Sequence, residues 1–137
     1  MAYMNQERKA QRAPAIKAIC KRYGIKATLS IRNHSTLVLN VKAGAIDFIG
    51  NYNATVAAQP GGFRSYERPA VKEIQVNPYW YKEHFSGTAL AFLEEVIPEM
   101  YGTDYFDESD AQTDYFHCSH YIDVNIGRWD KAYELLA

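Results

Sequence analysis

Apolar residues recur at helical spacing in two segments of the chain. In residues 14–23, Ala15, Ile16, Ala18, Ile19 and Cys20 form one stripe; in residues 87–101, Leu90, Leu93, Val96, Ile97 and Met100 form another. The first predicts a helical N-terminus over residues 1–24, with Asn5 as N-cap, Glu7 at its positive end, Lys21 and Arg22 at its negative end and Gly24 as the stop. Pro14 is expected to kink or split it. The second predicts a helix capped by Ser86 and ended by Gly102, with Pro98 loosening its last turn. Alternation of apolar and polar residues predicts strands at 27–32 and 36–42, joined through Asn33-His34-Ser35 as a hairpin. Residues 71–76 read as a third strand. Residues 118–126 read as another, with His120, Ile122, Val124 and Ile126 on one face.

Between these elements the pattern dissolves. Residues 44–52 are apolar and turn-rich, 58–70 read as a loop around Pro60-Gly61-Gly62, and 102–114 as an acidic loop. The order helix, strand, strand, strand, helix, strand predicts one α+β domain. Its architecture is an antiparallel sheet of three to five strands with two main helices on one face.

Composition narrows the class without naming a reaction. Of 137 residues, 47% are hydrophobic and 23% charged, which fits a globular chain and excludes a disordered or collagen-like one. No apolar run reaches the roughly 20 residues of a membrane helix, and the polar start does not read as a signal peptide. The two cysteines, Cys20 and Cys118, make no disulfide framework, so a reducing cytosol is the expected compartment. Cys20, on its apolar stripe, reads as a small core residue.

Net charge is −1, but the distribution is uneven. Residues 1–42 hold nine bases and one acid; the rest hold six bases and fifteen acids. Such asymmetry points to a charged partner, or to halves that neutralise each other on folding.

Candidate chemistry is sparse. His117, Cys118 and His120 resemble a metal cluster only in one dimension, since strand alternation sends the two histidines to opposite faces. The chain contains no phosphate-loop, dinucleotide, nucleophile-elbow or zinc-protease motif. No catalytic residue, metal site or cofactor is therefore expected, and an enzyme ranks behind two binding functions.

The first of these is protein binding. Eleven tyrosines raise the aromatic content to 14%, and they crowd the acidic half. Tyrosine combines contact area with a polar tip and loses little entropy when fixed. The expected surface is Asp104, Tyr105, Asp107, Glu108, Asp110, Asp114 and Tyr115, which would suit a partner with a basic surface. The alternative is nucleic-acid binding through Arg12, Lys17, Lys21, Arg22, Arg64 and Arg68, bases near the aromatic residues Phe63 and Tyr66.

Two stretches carry a resemblance. One is residues 1–35, with Tyr-Gly-Ile-Lys and then Ile31-Arg32-Asn33-His34-Ser35. The other is residues 109–133, with SDAQTDYF and HYIDVNIGRWDKAY. Together they resemble small proteins of tailed bacteriophages and are similar to a large polyvalent protein-associated domain of mobile elements. The resemblance implies an α+β fold and a phage accessory role in the host cytoplasm. It assigns no residue a function. The phage setting implies a non-catalytic inhibitor of a host or defence complex, a CRISPR-type inhibitor being one form.

Overall fold

Asn5 starts the first helix as expected: its side-chain oxygen accepts the Arg8 N–H at 2.8 Å. The computed structural model describes residues 3–62, 70, 72–103, 105–106, 119–128 and 130–136. Helix α1 (Gln6–Arg22) runs through Pro14 and is not split by it. The buried stripe of Arg12, Ile16 and Ile19 lies across Pro14 and holds both halves against one surface. Ala10 and Pro14 are both exposed, so the carbonyl that loses its N–H partner faces water.

Strands β1 (Ile25–Arg32) and β2 (Thr36–Gly44) form the expected antiparallel hairpin. Its turn needs left-handed backbone at two successive positions, and Asn33 and His34 both adopt φ 54°. These are among the non-glycine residues that tolerate that region best. The Met4 N–H donates to the His34 carbonyl, which ties the chain before α1 to the turn.

Residues 44–52, expected to be irregular, instead lead into α2 (Phe48–Ala57), capped by Asp47 through a 2.9 Å bond from the Gly50 N–H. Strand β3 (Ile74–Val76) is shorter than expected. It is followed by the single turn α3 (Tyr81–His84) and by α4 (Gly87–Tyr101), which matches its predicted span. Ser86 does not cap α4 with its side chain; its hydroxyl meets Asn51 and Thr55 of α2 instead. The chain then enters β4 (Tyr121–Ile126) and ends near β5 (Glu134–Leu135).

The sheet is mixed rather than purely antiparallel. Its order is β1-β2-β4-β3, with β4 antiparallel to β3 but parallel to β2, and β5 parallel to the end of β2. A parallel pair needs a long crossover, and the stretch holding α2, β3, α3 and α4 supplies one. Register places Leu37, Leu39 and Val41 beside Ile122, Val124 and Ile126 on the face that packs against Phe48, Phe92, Val96 and Met100. Thr28, Ser30, Asn40, Lys42, Asn125 and Gln75 share the opposite, polar face. The expected one-sided packing of helices thus holds. No described helix is long and apolar enough to cross a membrane.

Tyr133 closes the core beside Phe48, ring centroids 5.5 Å apart, and its hydroxyl donates to the Ile46 carbonyl at 2.6 Å. Burial, reinforced by the Asp47 charge, pushes this hydroxyl up to about 12. The folded chain therefore holds the phenol proton more tightly than the unfolded chain does. The contribution is whole below about pH 10 and is lost as pH rises towards 12. Urea titrations across that window should show stability falling with pH, and Tyr133→Phe should flatten the fall. An equal slope in both proteins would contradict the assignment.

Candidate functional site

Strand β1 is an outer strand of the sheet. It is bonded to β2 on one side, and among the described residues nothing pairs with its other edge. Its residues alternate, and Ala27, Leu29 and Ile31 turn towards the helical face while remaining only half-buried. The reason lies in α1, which packs on β1 but leaves a groove of 470 Å³ along the edge. Ile16 and Cys20 of α1 with Ile25, Ala27, Leu29 and Leu39 of the sheet make its apolar floor.

Three lysines rim this groove. Lys17 and Lys21 stand one turn apart on α1, and Lys26 begins the exposed part of β1. Among the described residues none of the three has a carboxylate partner. Like charges at this helical spacing repel by a few tenths of a kcal/mol, so the rim is favourable only to something that brings negative charge. Neighbouring Arg22 differs: its guanidinium pairs with Glu95. The Tyr23 hydroxyl and then Arg22 hold that carboxylate below the usual range. Arg32 likewise reaches across the polar face to buried Asp123 at 2.7 Å, with Gln75 on the other carboxylate oxygen. Two of the N-terminal bases are therefore neutralised by the acidic half, and among the described residues the groove lysines are not.

An exposed strand edge is a template for pairing with any chain, and lysines on it discourage that. Here the same lysines make the edge selective. A second copy of β1 laid parallel and in register would bring Lys26 against Lys26, whereas an acidic strand would meet opposite charge.

The burial of Cys20 raises its thiol above the ordinary range, which suits a groove-floor residue and not a nucleophile.

Arg12 requires a correction. It is 6% exposed, and no phosphate can reach it from the helix surface. Its guanidinium donates to the carbonyls of Met100 at 3.1 Å, Tyr101 at 2.9 Å and Arg8 at 3.1 Å, so it caps the last turn of α4. Lys17, Lys21 and Arg22 are exposed as expected, and Arg64 and Arg68 lie outside the described residues. So do Asp104, Asp107, Glu108, Asp110, Asp114 and Tyr115. Tyr105 is described and half-buried, its ring 4.4 Å from Tyr101 and edge-on to His120 at 5.5 Å. Its truncation would disturb packing before it disturbed a partner.

His120 is 1% exposed. Its Nε2 lies 3.0 Å from the Met100 carbonyl, which can only accept, so Nε2 carries the proton. Nδ1 then accepts from the Ser119 hydroxyl at 2.7 Å, with Arg8 at 3.3 Å. A serine on a histidine nitrogen is the geometry of an activated nucleophile, but Ser119 is itself 4% exposed and no substrate reaches it. The pair instead joins α1, the end of α4 and the start of β4. Among the described residues no three His, Cys, Asp or Glu side chains converge as a metal set; His117 and Cys118 lie outside them.

Sequence reasoning found Lys17 and Lys21 but not the groove. The alternation of β1 and the position of Lys26 at its start were the available signals. That β1 lies at the sheet's edge followed only from the crossover that brings β4 in beside β2. No family model matches the chain, and no curated protein or solved structure matches it either.

Proposed function

We propose that the chain is a non-catalytic protein-binding module that takes an extended, acidic segment of a partner alongside β1. One observation carries this reading: among the described residues, an unpaired strand edge lies beside an apolar groove whose three rim lysines have no carboxylate partner. Main-chain hydrogen bonds to β1 would supply affinity, and alternate side chains of the added strand would enter the groove. Its apolar residues would cover Ala27 and Leu29, and its carboxylates would meet Lys17, Lys21 and Lys26. The lysines would also steer the encounter and raise the on-rate. A role against a host or defence complex, as the phage resemblance implies, would make use of such a module and is part of the proposal.

Nucleic acid would be drawn to the same lysines. Among the described residues, however, the groove floor is lined by aliphatic side chains and Cys20 and offers no ring on which a base could stack. Arg12 is also spent on α4.

The test is a selection of displayed random peptides on the full chain, beside a binding assay with a 20-nucleotide single strand. Enriched peptides are expected to alternate apolar residues with Asp or Glu. The oligonucleotide is expected to bind weakly at physiological ionic strength. Enrichment of basic peptides would return the function to the acidic half. Tight oligonucleotide binding with a steep salt slope would replace the proposal with the nucleic-acid reading.

A further inference from the structure

The opposite face of the sheet carries a second cationic feature, built by different residues. Beside Thr28 and Asn40, where β2 and β4 end, lies a cavity of 150 Å³ lined by Lys42, Arg128 and Lys131. Backbone geometry brings these three cations together. The Gly127 N–H donates to the Val41 carbonyl at 2.8 Å, which fixes the exit of β4 against the residue before Lys42. Gly127 has φ 74°, and a Cβ there would lie 2.5 Å from the Lys72 carbonyl oxygen and 2.7 Å from the Tyr133 nitrogen. Only glycine fits that corner. Arg128 and Lys131 then exchange both backbone hydrogen bonds, at 2.8 and 3.2 Å, as an antiparallel bridge. Residues directly opposed in such a bridge send their side chains to the same side.

The remaining polar groups of the lining are donors too. The Asn40 oxygen accepts from the Asn125 amide at 3.3 Å, which leaves the Asn40 NH₂ to donate. Thr28 adds a hydroxyl from β1. Among the described residues the carboxylate in contact is Asp130, 3.5 Å from the Arg128 Nε, so their positive charge exceeds their negative by two. The volume equals about five waters, too small for a nucleobase or a drug-sized ligand but suited to a tetrahedral oxyanion.

We propose that this cavity binds a doubly charged oxyanion: phosphate, either free or as a monoester on a larger molecule. The site extends beyond the peptide-binding reading and does not depend on it, since Lys17, Lys21 and Lys26 take no part. Three converging cations favour a dianion over a monoanion, and the Arg128 fork offers paired donors to two oxygens.

The test is a titration of the isotope-labelled full chain, followed by amide shifts, at constant ionic strength. Inorganic phosphate is the first probe; methyl phosphate, dimethyl phosphate and chloride are the comparisons. Saturable shifts are expected at Thr28, Lys42, Gly127 and Arg128 with phosphate. Equal binding of methyl phosphate would show that the site admits a monoester, and failure of methyl phosphate alone would restrict it to the free ion. Dimethyl phosphate, a monoanion, should bind about tenfold more weakly. Arg128→Gln with Lys131→Gln should weaken phosphate binding by about tenfold or more while leaving the other amide signals in place. The groove-lysine variant Lys17→Glu/Lys21→Glu/Lys26→Glu should bind phosphate as wild type, so the two readings fail separately. Chloride shifts equal to those of phosphate, phosphate shifts centred on the groove lysines, or an unchanged midpoint in the Arg128/Lys131 variant would overturn the proposal.

Discussion

Arg12→Ala is expected to lower the stability of the fold by about 3 kcal/mol, or the melting midpoint by about 10 °C for a chain of this size. The cause is local and identifiable. The guanidinium is buried and donates to three carbonyls, two of which end α4. Met100 keeps a second donor in His120, so the larger loss falls on Tyr101. The negative end of the α4 dipole also loses its cation. Gly102→Ala should act through the same contact. A Cβ at Gly102 would sit 2.6 Å from an Arg12 nitrogen, on a residue whose φ of 79° already favours glycine. Lys17→Ala, one and a half turns along the same helix, is the control and should change stability by under about 0.5 kcal/mol. Thermal melts of the three variants decide the matter. An Arg12→Ala protein as stable as wild type would mean that the guanidinium does not cap α4.

Reversing the groove rim, Lys17→Glu with Lys21→Glu and Lys26→Glu, is expected to weaken binding of an acidic peptide by about a hundredfold. Each exposed attraction contributes about 0.5 kcal/mol, and reversal replaces it with a comparable repulsion, so three sites sum to about 3 kcal/mol. Screening supplies an internal check. Added salt should weaken the wild-type complex and strengthen that of the variant. The fold should survive, because all three lysines are exposed and none pairs with a carboxylate among the described residues. The one structural cost is the loss of a cation at the end of α1, about 0.5 kcal/mol. Less than a threefold change in affinity, with the melt intact, would remove the lysines from the interface.

The elements that the chain announces are those whose apolar residues follow one period without interruption. Both long helices and the β1–β2 hairpin are of that kind, and α4 occupies the span its stripe marks out. Helix α2 was hidden because Gly50, Asn51 and Asn53 interrupt Phe48, Ile49, Tyr52 and Val56, and loop-forming residues outweigh a short apolar face. Pro14 was weighed by propensity alone, whereas packing of Ile16 and Ile19 on one side and solvent on the other decide the outcome. The parallel β2–β4 pair is a property of topology, which local pattern does not encode. The same holds for the functional surface. Lys17 and Lys21 were legible as exposed cations, but Arg12, on the same helix and of the same charge, is buried. Only the position of α4 separates the two cases. In β4, Val124 and Ile126 face the core as their alternation requires, yet Asp123 is buried too. Arg32, three strands away in order of sequence, reaches over β2 to cover it.

The most direct measurement of the central claim is an amide-shift titration of the full chain with the most enriched displayed peptide, combined with hydrogen exchange of the complex. Strand addition at β1 predicts saturable shifts along Ile25–Arg32 and at Lys17 and Lys21, with slower exchange for the β1 amides that face away from β2. Shifts centred on Tyr105, Phe106 and Tyr121, with β1 exchange unchanged, would contradict it.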